Sequence, residues 1–292
     1  MYRGKLPPGK GLVEMTDQPE FIESQIAFLN DDWRDRDEIP RIYSRKTRHA
    51  NTTKRDILIH NARLRHQAGD LDLDGSGFIL VEHETAVSEF RDKDAITDVY
   101  FPEMKQLILA ETGALDAFPV QFYQVRTREP EHFFDAYSLY LHCDFSPKGW
   151  MKLAQHWINE AGPDRKFDES EYDFALYNLW RSVAGEVQQD ALAIMDASTL
   201  DRADIVDYST VEEAEKGTAA LPLYAPDQKF YYVPRMQENE VLIIKQLDSR
   251  PGRALVCPHT SFRDPTAPAN ANHRESIDVR FVCVFRKGDQ AS

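Results

Sequence analysis

Cysteine is scarce: Cys143, Cys257 and Cys283 are the only three in 292 residues. So sparse and odd a set, with no C-x-x-C pair, excludes a disulfide framework and a cysteine-built zinc site, and it points to a reducing compartment. Long apolar runs are missing too. None approaches the roughly 20 residues of a membrane span, and the opening MYRGKLPPGKGLVEM lacks the apolar stretch of a signal peptide. A cytoplasmic protein with no membrane partner is expected. Positive charge is the third shortage. Lys and Arg number 35 against 49 Asp and Glu, a net charge of −14, and no basic run offsets it. Such a surface repels phosphate backbones, so nucleic acid is not an expected partner.

What is present is an ordinary globular composition, 42% hydrophobic and 29% charged, in a chain long enough to bury a substantial core. Residues 1–50 are polar and rich in Pro, Arg and Asp. They read as an extended arm with one short helix around Phe21–Asn30. Residues 51–292 show no linker and read as a single domain. Within it, 54–66 reads as a strand entering a turn, and Phe78–Val81, 120–128 and 136–145 read as strands. Residues 101–113 read as an amphipathic helix capped at Gly113, and 147–161 as a helix opening at Pro147. After residue 165 strands dominate: 174–183, 192–198, 229–234, 240–249, 253–259 and 274–285. This order predicts a mainly β protein with flanking helices, whose core is a double-stranded β-helix, or jelly roll.

The candidate chemistry begins at His142-Cys143-Asp144. Residues i and i+2 of a strand share a face, so His142 and Asp144 can converge on one ion while Cys143 points away. Two histidines and a carboxylate on one face of iron(II) leave three positions open for co-substrate and oxygen. H-x-D alone is common by chance. The third ligand must come from a distant segment, followed by a cation for a carboxylate co-substrate. His259, at the end of RALVCPH, is followed by Arg274-Glu275-Ser276. Alternation puts Arg274, Ser276, Asp278 and Arg280 on one face and Ile277, Val279, Phe281 and Cys283 on the other. Arg274 can grip a carboxylate with its fork while Ser276 adds a hydroxyl. The rival pairing is His273 with Arg286. It is less favoured, because no strand precedes His273 and Arg286 sits beside Lys287 and Gly288. Asp70-x-Asp72-x-Asp74-Gly75 opens like a calcium loop but lacks Glu at its twelfth position, and reads as a turn.

The strings ILIHNAR, DGSGFILVEHETAV, LHCDFSP, YNLWRSV, LAIMDASTL, FYYVPRMQENEVLIIKQLDS, PHTSFRDP and RESIDVR together resemble a fungal and bacterial family of hydroxylase/desaturase proteins. That family includes gibberellin desaturases, aspergillic-acid-type hydroxylases and relatives of the cephalosporin 7-alpha-methoxylation component. The resemblance spans about residues 55–286. It implies a non-haem Fe(II), 2-oxoglutarate-dependent oxygenase that uses O2 to oxidise a small molecule in secondary metabolism. Carried over, it implies His142, Asp144 and His259 as ligands and Arg274, with Ser276, as the co-substrate anchor. Asn178, Arg181, Tyr232 and Lys245 are further candidates for the pocket. Two other readings stand beside it: a cupin-type metal dioxygenase or isomerase that needs no 2-oxoglutarate, and a non-catalytic accessory protein on the same fold.

Overall fold

The computed structural model describes residues 18–127, 136–162, 164–212 and 218–288. Thirteen strands run through it: β1 (Phe21–Leu29), β2 (Thr52–Asn61), β3 (Phe78–Glu82), β4 (Asp116–Pro119), β5 (Gln124–Arg126), β6 (Tyr172–Ser182), β7 (Leu192–Met195), β8 (Ile205–Tyr208), β9 (Ala219–Pro222), β10 (Phe230–Tyr232), β11 (Glu240–Asp248), β12 (His259–Ser261) and β13 (Ser276–Arg286). The helices are α1 (Arg45–Asn51), α2 (Ala62–Ala68), α3 (Lys93–Ala95), α4 (Phe101–Thr112) and α5 (Trp150–Ala161), with a π-helical turn at Ile96–Tyr100 leading into α4.

Two sheets make the jelly roll. One has the order β1-β2-β10-β7-β12. The other runs β3-β11-β6-β13-β4, with β5 also on β13. The second sheet is organised by β13, paired antiparallel with β6 along its whole length from Ser276↔Ser182 to Arg286↔Tyr172. Both strands are almost continuously buried, which explains their long apolar runs: a strand covered on two faces needs no alternation. The inner faces meet in one core, where Ile22, Ile26, Phe28, Ile59 and Phe230 face Phe78, Leu80, Trp180, Leu242 and Ile244. Burying each such side chain contributes about 1.5–3 kcal/mol. The outer face of the larger sheet (Tyr177, Leu179, Ile243, Ile277, Val279, Phe281) packs under Tyr100, Phe101, Met104 and Ile108. A third cluster sets Trp150, Ala154 and Ile158 of α5 against Cys143, Phe174, Leu176 and Val282.

Several sequence expectations are corrected here. Phe21–Asn30 is not a helix. Residues 21–29 form β1, paired with β2 from Phe21↔His60 to Leu29↔Thr52. Ile22, Ile26 and Phe28 repeat at even spacing and face the core, the period of a strand. Residues 136–145 form no continuous strand. Only His142 and Cys143 bridge, to His259 and Ala220, while Leu141 N–H donates to Ala27 O and Ser146 N–H to Thr218 O. The segment therefore crosses between elements instead of joining one ladder. RALVCPH belongs to no strand until its last residue, so His259 opens a strand instead of closing one. Gly149, not Pro147, caps the start of α5.

Candidate metal and co-substrate site

His142 and His259 are brought face to face by the backbone. His142 N–H donates to His259 O at 3.2 Å, and His259 N–H returns the bond to His142 O at 3.0 Å. This reciprocal pair sets the two ring centroids 4.8 Å apart. Each ring is then oriented by a carbonyl two residues back. His142 Nδ1 is 2.9 Å from Tyr140 O, and His259 Nδ1 is 3.4 Å from Cys257 O. A carbonyl only accepts, so Nδ1 carries the proton in both rings and Nε2 presents its lone pair. Both Nε2 atoms face one oxygen, Asp144 Oδ1, at 3.4 Å and 3.8 Å.

One ligand atom from each of His142, Asp144 and His259 lies within 4.8 Å of the others. A first-row metal ion with bonds of roughly 2 Å fits among atoms so spaced. The donor set, two imidazoles and one carboxylate, is that of iron(II) oxygenases. Burial, the largest influence, pushes the His259 imidazole down to about 4, so it is neutral and able to ligate near pH 7. Burial alone would raise the Asp144 carboxyl. The Arg280 charge outweighs it and holds Asp144 well below the usual carboxylate range. Cys143 faces the other way, into the cluster under α5.

The cleft beside these ligands is lined by Arg126, Ser138, Asn178, Trp180, Leu192, Ser261, Arg274, Asp278 and Arg280. Arg274 is 3% exposed. Its guanidinium lies between the rings of Tyr137 and Trp180, 4.3 and 5.1 Å from their centroids. Its Nη1 donates to Asp190 O at 2.6 Å, a carbonyl presented by a residue in the left-handed region, φ 59°. Arg274 Nε has no hydrogen-bond partner among the described residues. No acid stands within ion-pair distance of Arg274 among the described residues, and burial pushes its pKa down to about 10. Asn178 Oδ1 and Ser276 Oγ are likewise buried without partners among the described residues. A buried cation and buried polar atoms left unmatched are what a polar, anionic ligand would satisfy.

The other sequence candidates are distributed differently. Asn178 lines the cleft; Ser276 lies two residues from Asp278 on the same face of β13, outside the lining. Three candidates sit elsewhere. Arg181, three residues from Asn178, points to the opposite face of β6, where it donates to His83 O and Glu238 O and lines a separate cleft. Tyr232 packs in the inter-sheet core, edge-on to Phe262. Lys245 is fully buried beyond the cleft, its Nζ 2.6 Å from Asp248 and 2.9 Å from Asp74. The rival His273 is 45% exposed and faces Asp190; Arg286 lies at an exposed strand end against Tyr172. Arg126 was not singled out from the sequence. It closes on Asp278, with Nε 3.1 Å from Oδ2, and only the pairing of β5 with β13 brings it there.

A jelly roll that gathers two histidines and an aspartate at one end of its sheets is the architecture of the mononuclear non-haem iron dioxygenases. The chain belongs to the family described as "Oxidoreductase/YMDC permease-like domain", whose sequence pattern matches residues 25–284. Despite the second half of that description, no helix among the described residues is long and apolar enough to cross a membrane. Among similar proteins, the Fe(II)/2-oxoglutarate-dependent dioxygenase nvfI of Aspergillus novofumigatus is 26% identical over 274 residues, covering 89% of this chain and 95% of its own. The hydroxylase/desaturase CTB9 of Cercospora beticola is 28% identical over 267 residues, covering 81% of this chain and 78% of its own. The solved structure of the iron and alpha-ketoglutarate-dependent endoperoxidase NvfI shares the fold, with a TM-score of 0.78 and 23% identity over 92% of this chain and 99% of that one.

Proposed function

We propose that His142, Asp144 and His259 hold iron(II), that Arg274 anchors the far carboxylate of 2-oxoglutarate, and that the enzyme oxidises an unactivated C–H bond of a small molecule in secondary metabolism. The observation that carries this reading is the juxtaposition of the three ligands with the buried guanidinium of Arg274, which has no acidic partner within ion-pair distance among the described residues. The second feature separates it from a metal dioxygenase that needs no 2-oxo acid, where Arg274 would have no assigned ligand. The first separates it from a pure binding module, which has no need of a convergent His-Asp-His group.

Iron(II), 2-oxoglutarate and O2 together supply the oxidising chemistry, with succinate and carbon dioxide as by-products and hydroxylation, desaturation or ring closure as outcomes for the substrate. The chain's own residues orient and exclude. The Tyr140 and Cys257 carbonyls fix the histidine tautomers. The Tyr137 and Trp180 rings sandwich Arg274 and keep its charge out of bulk water, so that a carboxylate gains more from meeting it. Leu192 and Trp180 form the apolar part of the cleft wall and restrict water at the reacting centre.

The test is anaerobic addition of iron(II) and 2-oxoglutarate, read as the weak visible charge-transfer band of the chelated co-substrate. The band is expected with the natural protein and absent with His259→Ala. Iron binding without the band would favour the dioxygenase that does without 2-oxoglutarate, and absence of iron binding would favour the accessory protein.

A further inference from the structure

Asp144 offers the cleft only half of its carboxylate. Oδ1 faces the two imidazoles, while Oδ2 accepts from Arg280 Nε at 3.0 Å and Nη2 at 2.8 Å. Arg280 is 3% exposed and is itself ion-paired from behind, its Nη1 lying 2.8 Å from Asp278 Oδ1 without the alignment of a hydrogen bond. Asp278 is 2% exposed and its other oxygen is engaged by Arg126 at 3.1 Å. The order Asp144–Arg280–Asp278–Arg126 alternates in charge and is anchored on two paired strands, β5 and β13. A guanidinium fork held in place from behind cannot follow Asp144 if it rotates.

We propose that Arg280 is a positioning residue that restricts Asp144 to ligation through one oxygen, and so keeps two neighbouring metal positions open for the 2-oxo acid. This rests on the metal-site reading above. Without the clamp, Asp144 Oδ2 is released to take a second position on the same ion. The guanidinium charge that repels the metal is removed at the same time. Both changes favour the bare metal, and the first works against the chelating co-substrate. A role that is only structural makes a different prediction, because damage to the cleft weakens metal and co-substrate together.

The experiment uses the full chain with cobalt(II) as the probe metal, titrated anaerobically first alone and then with 2-oxoglutarate, and followed by visible absorption. Arg280→Gln is expected to bind cobalt at least as tightly as the natural protein, with an altered ligand-field spectrum. Its affinity for 2-oxoglutarate should fall by about ten-fold or more, equivalent to about 1.4 kcal/mol of competition from the released oxygen. Arg280→Lys, which keeps the charge but not the fork, should hold cobalt unchanged and lose less co-substrate affinity; it decides the matter if the Gln variant does not fold. Parallel weakening of cobalt and 2-oxoglutarate, or no change in either, overturns the clamp. If the natural protein itself fails to bind cobalt, the metal-site reading falls and the clamp falls with it.

Discussion

Replacing Arg274 with Gln removes the guanidinium that sits between Tyr137 and Trp180 with one N–H on Asp190 O and its Nε unmatched. A hydrogen bond to a charged partner contributes about 1.5–3 kcal/mol. At about 1.4 kcal/mol per decade, its loss weakens 2-oxoglutarate by roughly 10- to 150-fold. The readout is thermal unfolding of the manganese(II)-loaded protein with and without 2-oxoglutarate under anaerobic conditions. A ligand at one hundred times its Kd stabilises the native state by about 2.7 kcal/mol, which for a chain of this length raises Tm by about 5 °C. After a hundred-fold loss the same concentration equals the new Kd. The stabilisation then drops to about 0.4 kcal/mol, and the shift to about 1 °C. Without 2-oxoglutarate the variant should melt close to the natural protein, because a buried charge with no counter-ion adds little to stability. A full shift in Arg274→Gln, equal to that of the natural protein, would refute the assignment of Arg274 as the anchor.

Asp74 answers to three cations, Lys245, Arg250 and Arg253, at 2.9, 3.0 and 2.8 Å. Burial pulls its carboxyl upward, but these charges hold it below the usual range. Its contribution is therefore fully present above the ordinary value near 3.9 and lost as pH falls through the depressed folded value. Asp74→Asn should lower stability to urea at pH 7 by about 1–3 kcal/mol, less than a fully broken buried pair because Asp248 still meets Lys245. The difference between variant and natural protein should shrink as pH drops below about 4; a difference independent of pH would refute the ion-pair account. Gly77→Ala should cost about 3 kcal/mol, from a left-handed backbone and an overpacked neighbour. The residue holds φ +84°, and an added Cβ would stand 2.9 Å from the Cβ of Ala197. An unchanged urea midpoint would show that the turn before β3 relaxes freely.

The strongest elements were legible because their burial is two-sided. β6, β11 and β13 are apolar runs bounded by turn residues, and α4 announces its end by Gly113 in the left-handed region. β1 and residues 136–145 carry no such unbroken apolar run. Polar surroundings hid β1, although its period was visible at Ile22, Ile26 and Phe28. Tyr137–Phe145 has the composition of a strand, but composition reports only fitness for a pleated surface. Where the N–H groups go is decided by Ala27, His259, Ala220 and Thr218, all far away in sequence.

The site divides along the same line. His142 and Asp144 are separated by one residue, and strand alternation along RESIDVR puts Arg274, Asp278 and Arg280 on one face, where all three line the cleft. Parity also holds the reason that Arg181 does not join them: three residues from Asn178 on one strand, it must face the other way. What alternation cannot supply is the identity of the partner across the cleft. Asp144 and Arg280 are 136 residues apart, and Arg126 and Asp278 are 152 apart; the second pair exists only once β5 has docked on β13. These pairings give the three arginines of the cleft different tasks. Arg126 and Arg280 are committed to Asp278 and Asp144, whereas Arg274 stands beyond ion-pair reach of every acid among the described residues. An incoming dicarboxylate therefore meets one guanidinium whose charge is uncommitted, placed at a fixed remove from a carboxylate whose second oxygen is already occupied.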